Sequence, residues 1–383
     1  MSSEDNKKEV NANPGPRPLT PDPSPSAPDP LQKIKLAVRA ITAYTLAPYR
    51  ASIKLNQNEN PFDMPEEIKR EVERRLASRP WSRYPDFVPS ALLEALARFA
   101  GWKPQGTLAG NGSNELIQAT LMVTVSRGTR VVLPEPTFTL YRQIVNVLGG
   151  EVLGVPLTRE LQFDVEAIRE RATGERADVI IICSPNNPTG CSISEEDLQE
   201  IARDFDGLIV VDEAYHEFSG RTVVPLLEDL PNLIVLRTFS KAMAMAGLRV
   251  GYLLTRAELA REIHKATLPY NLNFFSATAA QVACERYDLL RPQIDLLISE
   301  RERVFAALAG IRGIEPVPSA ANFLLARTDA GPQKLFNELL ARDILVRDVS
   351  KYPMLADYLR LSIGSPAENN RLIAALNEVM RAV

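Results

Sequence analysis

Apolar residues in the middle of this chain come in two textures. Four runs are continuous and rich in β-branched residues: 130–133, 179–182, 208–211 and 233–236. A strand with one wet face alternates apolar and polar positions, so an unbroken run predicts a strand buried on both faces of a mostly parallel sheet. The stretches between the runs carry apolar residues at helical spacing. One begins at Ser194, with Asp197 three residues on, Ile193 and Leu198 placed as a hydrophobic staple, and Leu198, Ile201, Ala202 and Phe205 on one face. Strand and helix alternating in this way predict an α/β fold with a layered central sheet.

The flanks read differently. From Leu31 to about Tyr49 the spacing of Leu31, Ile34, Leu36, Val38 and Ile41 predicts helix, and a second helix start stands at 63–67, followed by the stripe Ile68, Val72 and Leu76. After about Tyr287 a long helical stretch over 294–308 leads into short strands at 321–326, 344–346 and 358–363, then a last helix near 370–380. The predicted organisation is a tail over 1–30, an arm over 31–57 packing with a small domain, a large domain over 58–287, and a small α+β domain over 288–383. The tail holds eight prolines between Pro14 and Pro30 and little that could be buried, so disorder is expected there, and it lacks the basic start and apolar core of a secretory signal.

Composition narrows the function. A length of 383 residues suits two domains, and 45% hydrophobic with 24% charged residues is ordinary for a soluble enzyme. A net charge of −4 argues against a nucleic-acid binder working through a basic face. Two histidines and three scattered cysteines argue against a zinc site and against a disulfide framework, hence for a reducing compartment. No apolar run approaches the ~18–20 residues a membrane span needs.

In open α/β sheets, ligands collect beyond the carboxyl ends of the strands. Here those ends supply Phe138, Asn187, the pair Asp212 and Tyr215, and Lys241. A lysine amine forms a Schiff base with an aldehyde. Pyridoxal phosphate asks in addition for an acid on its ring nitrogen, donors for its ring hydroxyl and an anion cradle. Asp212 suits the first, and Asn187 with Tyr215 the second. The turn 110–115, which contains Gly112, Ser113 and Asn114, opens a helical pattern and so suits the third, with Ser240 and Arg249 completing the phosphate shell.

With these residues in view, the chain resembles the fold-type I pyridoxal-phosphate aminotransferases, most closely those acting on histidinol phosphate. The matching phrases are Asn-Glu-Asn-Pro (58–61), Arg-Tyr-Pro (83–85), the glycine loop 110–115, Ser-Pro-Asn-Asn-Pro-Thr-Gly (184–190), Asp-Glu-Ala-Tyr (212–215), the lysine segment 238–249, Asn322-Phe323, 346–348 and 359–361. They run in family order from about Tyr49 to the last helix.

The resemblance implies Lys241 as the Schiff-base lysine, Asp212 as partner of the ring nitrogen, Asn187 and Tyr215 on the ring oxygen, and Phe138 on the ring face. It adds Thr238 to the phosphate ligands. Tyr84 would reach the cofactor phosphate of a neighbouring subunit, so a homodimer with a shared active site is implied. Arg347 and Arg360 would hold substrate anions, with Asn322, Tyr49 and Asn60 lining that side. The implied activity is ping-pong transamination between histidinol phosphate and 2-oxoglutarate in the cytoplasm, within histidine biosynthesis. An aromatic amino-acid aminotransferase and, further off, a phosphothreonine-type decarboxylase are the alternatives within the class. A regulator that has lost catalysis would be expected to carry a DNA-binding domain, which thirty Pro-rich residues cannot supply. His216 is read as structural, and Cys183 and Cys191 as inert small residues.

Overall fold

The structure is a computed structural model that describes residues 29–43 and 48–382. The predicted tail therefore lies outside the described residues except for its last two positions. The chain forms two units, Met1–Ile41 and Thr42–Val383. In the first, the predicted long helix is replaced by a 3-10 turn, Pro30–Lys33, and a one-turn helix, Leu36–Arg39. Ile34 and Lys35 between them are extended, with ψ near 132° and 134°, and neither piece buries a residue. A stripe of apolar residues makes a stable helix only where it has a surface to bury against, and a single turn does not sustain itself.

The second unit is organised by a central sheet of seven strands: β1 Thr107–Gly110, β2 Arg130–Glu135, β3 Glu151–Pro156, β4 Val179–Cys183, β5 Leu208–Asp212, β6 Leu233–Thr238 and β7 Gly251–Leu254. Their order across the sheet is β1-β7-β6-β5-β4-β2-β3. Only β7 runs against the rest. Along each inner strand, alternate side chains enter different cores. Val132, Ile180, Ile182, Ile209, Val211 and Val235 pack into one, and Val131, Ile181, Val210, Ile234 and Leu236 into the other. Helices cover both faces, so neither set of positions can be polar, and this is why the runs were unbroken.

A four-stranded antiparallel sheet (Ile314–Val317, Phe323–Thr328, Arg347–Asp348, Tyr358–Ser362) builds a separate core with helices Arg291–Ala309, Pro332–Ala341 and Pro366–Arg381. The strand predicted over 344–346 ends at Leu345, and a second begins beyond it at Arg347. Ile344–Leu345 pairs in parallel with Ile53–Lys54, while Arg347–Asp348 pairs with Tyr358–Ser362. That first pairing anchors the segment that delivers Asn56, Gln57 and Asn58 to the site described below. Among the described residues no helix is long and apolar enough to cross a membrane.

Behind β5 and β6 lies a buried ion pair. Glu213 accepts from Arg237 Nε at 2.9 Å, from the Val223 amide at 2.6 Å and from Thr222 Oγ1 at 2.9 Å, and both charged residues are at most 4% exposed. Removing one partner strands the other charge out of water. Arg237→Met is therefore expected to destabilise the protein by about 3–5 kcal/mol, read as a lower urea midpoint, and Glu213→Gln in that background to recover part of the loss.

Candidate active site

The carboxyl ends of β2, β4, β5 and β6 open onto one cavity enclosing about 270 Å³. At its floor is Asp212, the last residue of β5, 3% exposed and in register with Cys183 of β4. Its Oδ2 accepts the Tyr141 hydroxyl at 2.7 Å and its Oδ1 the Ala214 amide at 3.1 Å. Burial pushes the carboxyl up to about 6, while those two hydrogen bonds favour the charged form and limit the rise.

Lys241 follows β6 on a tight loop. Its Nζ donates to the Gln57 carbonyl at 2.8 Å. Burial and the nearby Arg360 guanidinium bring its ammonium down to about 8, so the neutral, nucleophilic amine is accessible near physiological pH. The buried Tyr215 hydroxyl accepts from Asn58 Nδ2 at 3.0 Å. Asn187 Oδ1 accepts from Arg360 Nη1, and Arg360 Nη2 donates to the Asn56 carbonyl at 2.7 Å.

The loop that carries Asn187 is braced by its neighbour Asn186. That side chain accepts from Thr137 Oγ1 at 2.7 Å and donates to the Pro136 carbonyl at 2.9 Å and to Thr189 Oγ1 at 2.8 Å, tying the ends of β2 and β4 together.

The cavity also carries the groups an anion cradle would need. Helix Ser113–Thr124 begins there with no side-chain cap, from Gly112 at φ 83°. Arg249 packs across this turn so closely that a Cβ on Gly112 would lie 2.4 Å from Nη2. Nη1 of Arg249 donates to Ser240 Oγ at 3.1 Å, and the Ser240 amide donates to Thr238 Oγ1 at 3.1 Å. An uncapped helix N-terminus, a guanidinium and two hydroxyls form the donor set a phosphate monoester wants.

Of the residues singled out in the sequence, Lys241, Asp212, Tyr215, Asn187, Phe138, Ser113, Asn114, Thr238, Ser240, Arg249, Arg347 and Arg360 all line this cavity. Gly112 supports it through Arg249. Others stand outside the lining. Asn60 braces its loop, donating to the Ala242 carbonyl at 3.1 Å, and Asn322 is buried behind the lining, donating to the Asn58 carbonyl at 3.0 Å. Tyr49 packs its ring edge on Phe336 at 5.4 Å, and Tyr84, 77% exposed, stacks on Tyr270 at 4.6 Å. His216 is also outside, its Nδ1 against the Glu213 carbonyl at 3.0 Å.

Sequence reasoning passed over Tyr141, Asn58, Gln57 and Tyr352. Tyr141 stands three residues after Phe138 on the buried face of helix Leu140–Leu148 and reads as core. Asn58, Gln57 and Tyr352 come from segments that reach the site only through tertiary pairing. Cys183 lines the cavity too, yet burial raises its thiol far above the usual range and that of Cys191 to about 11, so both stay protonated and unreactive.

Comparison with known proteins adds a family. Residues 50–376 match the pattern of aminotransferase class I and II. The chain is 39% identical over 347 residues to histidinol-phosphate aminotransferase of Chlorobium luteolum, covering 90% of this chain and 97% of that protein. It is 41% identical over 342 residues to the enzyme of the same name from Chlorobium phaeobacteroides, covering 89% and 95%. Among solved structures, histidinol-phosphate aminotransferase from Sinorhizobium meliloti in complex with pyridoxal-5'-phosphate superposes with a TM-score of 0.82 at 26% identity, covering 94% of this chain and all of that one.

Proposed function

This chain belongs to the aminotransferases of class I and II, and from that premise we propose that it is a pyridoxal-phosphate-dependent histidinol-phosphate aminotransferase. The observation that carries the reading is one cavity holding a half-buried amine, a buried carboxylate and the groups of a phosphate cradle. The cofactor fits this donor set: Ser113, Asn114, Thr238, Ser240 and Arg249 would hold its phosphate, Phe138 would stack on its ring, Asn187 and Tyr215 would bond its ring oxygen, and Asp212 would pair with its ring nitrogen. When bound, pyridoxal phosphate supplies an aldehyde for an amine and a protonated ring that takes up the electron pair left at the substrate carbon.

The chain's own residues do the rest. Arg360 and Arg347 bind the anionic ends of the two substrates, the phosphate of histidinol phosphate and the carboxylates of 2-oxoglutarate, and planar guanidinium forks serve both. Lys241 Nζ would carry a proton from the amino-bearing carbon of the substrate to the aldehyde-derived carbon of the cofactor in the first half-reaction, and in the opposite direction in the second. Asp212 would hold its negative charge against the ring nitrogen throughout. The products are imidazole-acetol phosphate and glutamate, with ping-pong kinetics.

The functional assembly is a homodimer in the cytoplasm. Trp81, Tyr84, Phe87 and Leu268 are all more than half exposed, an aromatic surface suited to burial against a second copy, with Tyr84 reaching the cofactor phosphate of the partner. The reducing cytoplasm also suits free Cys183, Cys191 and Cys284.

The test is single-turnover absorbance of the cofactor-loaded protein mixed separately with histidinol phosphate, phenylalanine and phosphothreonine. Fast conversion to the pyridoxamine form is expected with histidinol phosphate; preference for phenylalanine would overturn the substrate and keep the class. Arg347→Ala is expected to raise the KM for histidinol phosphate by about ten- to a hundredfold, the loss of one charge-assisted contact, while cofactor affinity holds. An equal loss of both would move Arg347 off the substrate.

A further inference from the structure

Tyr141 is fully buried on helix Leu140–Leu148, which packs beside the strands rather than contributing a strand end to the cavity. Its hydroxyl donates to Asp212 Oδ2 at 2.7 Å, and its ring meets Phe138 edge-on at 5.5 Å. One side chain thus touches both the carboxylate assigned to the cofactor nitrogen and the ring assigned to its face. A buried carboxylate stays ionised only where donors replace the water it has lost. The groups that face Asp212 are Tyr141 from its helix, Cys183 from β4, Glu213 and Tyr215 from its own strand end, and Lys241 from the loop after β6. Glu213 is a like charge, Cys183 and Tyr215 stay neutral, and Lys241 is directed to the Gln57 carbonyl. Among the described side chains, Tyr141 alone donates a hydrogen bond to this carboxylate.

We propose that Tyr141 is a positioning residue of the reaction: its hydroxyl keeps Asp212 ionised and aimed at the ring nitrogen of pyridoxal phosphate, and so sets how far toward acid pH the enzyme holds its cofactor and works. The proposal rests on the cofactor reading above. Tyr141→Phe keeps the ring and its packing and removes one oxygen. In that variant Asp212 takes up a proton at higher pH, because its anion has lost a donor.

The measurement is pyridoxal-phosphate affinity against pH, followed by the visible absorbance of the bound cofactor, together with the pH profile of kcat/KM. In Tyr141→Phe the acid limb of both is expected to move upward by roughly one pH unit, with affinity near neutral to alkaline pH little changed. Tyr141→His, which keeps an N–H donor on the same stem, is expected to recover part of the shift. In the Asp212→Asn background, where no carboxylate titrates, adding Tyr141→Phe is expected to change the affinity profile no further. An acid limb unmoved in Tyr141→Phe, a uniform loss of affinity at every pH, or a shift that persists without Asp212 would each overturn the assignment to Tyr141. Wild-type protein that bound no pyridoxal phosphate would instead overturn the reading beneath it.

Discussion

Lys241→Ala is expected to abolish covalent attachment of the cofactor and to lower turnover by at least about 10²–10⁴-fold, the range lost with a positioned general base. The deeper loss comes from the double duty of one amine. Lys241 Nζ would bond the aldehyde of pyridoxal phosphate before substrate arrives and move the substrate proton afterwards. The geometry allows both because the amine is held by a carbonyl, Gln57 O, rather than by a carboxylate. A carboxylate partner would have raised its pKa; burial and Arg360 lower it to about 8 instead. Cofactor recombination with the apoprotein should accordingly speed up as pH rises through about 8 and level off above it. The checks are the visible absorbance band of the holoprotein, borohydride trapping followed by peptide mass spectrometry, and steady-state transamination. A variant that still gave trapped cofactor on another lysine, with the wild-type band, would remove Lys241 from this role.

Asp212→Asn is expected to move catalysis and stability in opposite directions. Turnover should fall by about 10²–10³-fold, the scale of losing one preorganised electrostatic partner in a dry site, because a neutral amide no longer stabilises charge on the cofactor ring. The apoprotein should gain stability. The carboxyl titrates near 6 in the folded chain against an ordinary value of 3.8. For an acid whose pKa is raised by folding, stability is lost as pH climbs from about 4 to 6, and the whole cost is felt above that window. Replacing Asp212 by an uncharged side chain of the same shape removes that cost, on the order of 3 kcal/mol at pH 8, and little of it at pH 4. Thermal melts of wild type and variant apoprotein at the two pH values decide it. Equal melting points at pH 8 would mean that burial of this charge is not the source of its raised pKa. The contrast is that of a functional group kept at the expense of the fold.

Much of the fold was legible because its strongest signal is local. The four runs between 130 and 236 became β2, β4, β5 and β6, and Ser194 caps its helix by accepting the Asp197 amide at 3.0 Å. Continuous β-branched sequence and a capping hydroxyl are short-range chemistry, decided within a few residues. The helix over 31–49 was misread for the same reason, since periodicity reports a face and not whether anything packs against it. The strand over 344–346 was legible at Ile344–Leu345, but its pairing was not: that strand joins a partner some 290 residues earlier, while Arg347–Asp348, just beyond it, joins one a dozen residues later.

The sequence by itself determined which chemical groups this protein has and which of them stand at strand ends. Lys241, Asp212, Tyr215, Asn187 and Phe138 each follow an apolar run, and parallel strands deliver their carboxyl ends to one edge whatever the details of packing. Only the tertiary structure decided what state those groups are in. Asp212 is raised to about 6 by burial, with the Tyr141 hydroxyl limiting the rise, Lys241 is brought to about 8 by burial and Arg360 while it bonds the Gln57 carbonyl, and Tyr215 is fixed by Asn58. Those partners come from a helix, from a segment paired to Ile344–Leu345, and from a strand of the C-terminal sheet. Desolvation and hydrogen bonding act over a few ångströms of space and take no account of distance along the chain, so their effects on a site are written in its fold.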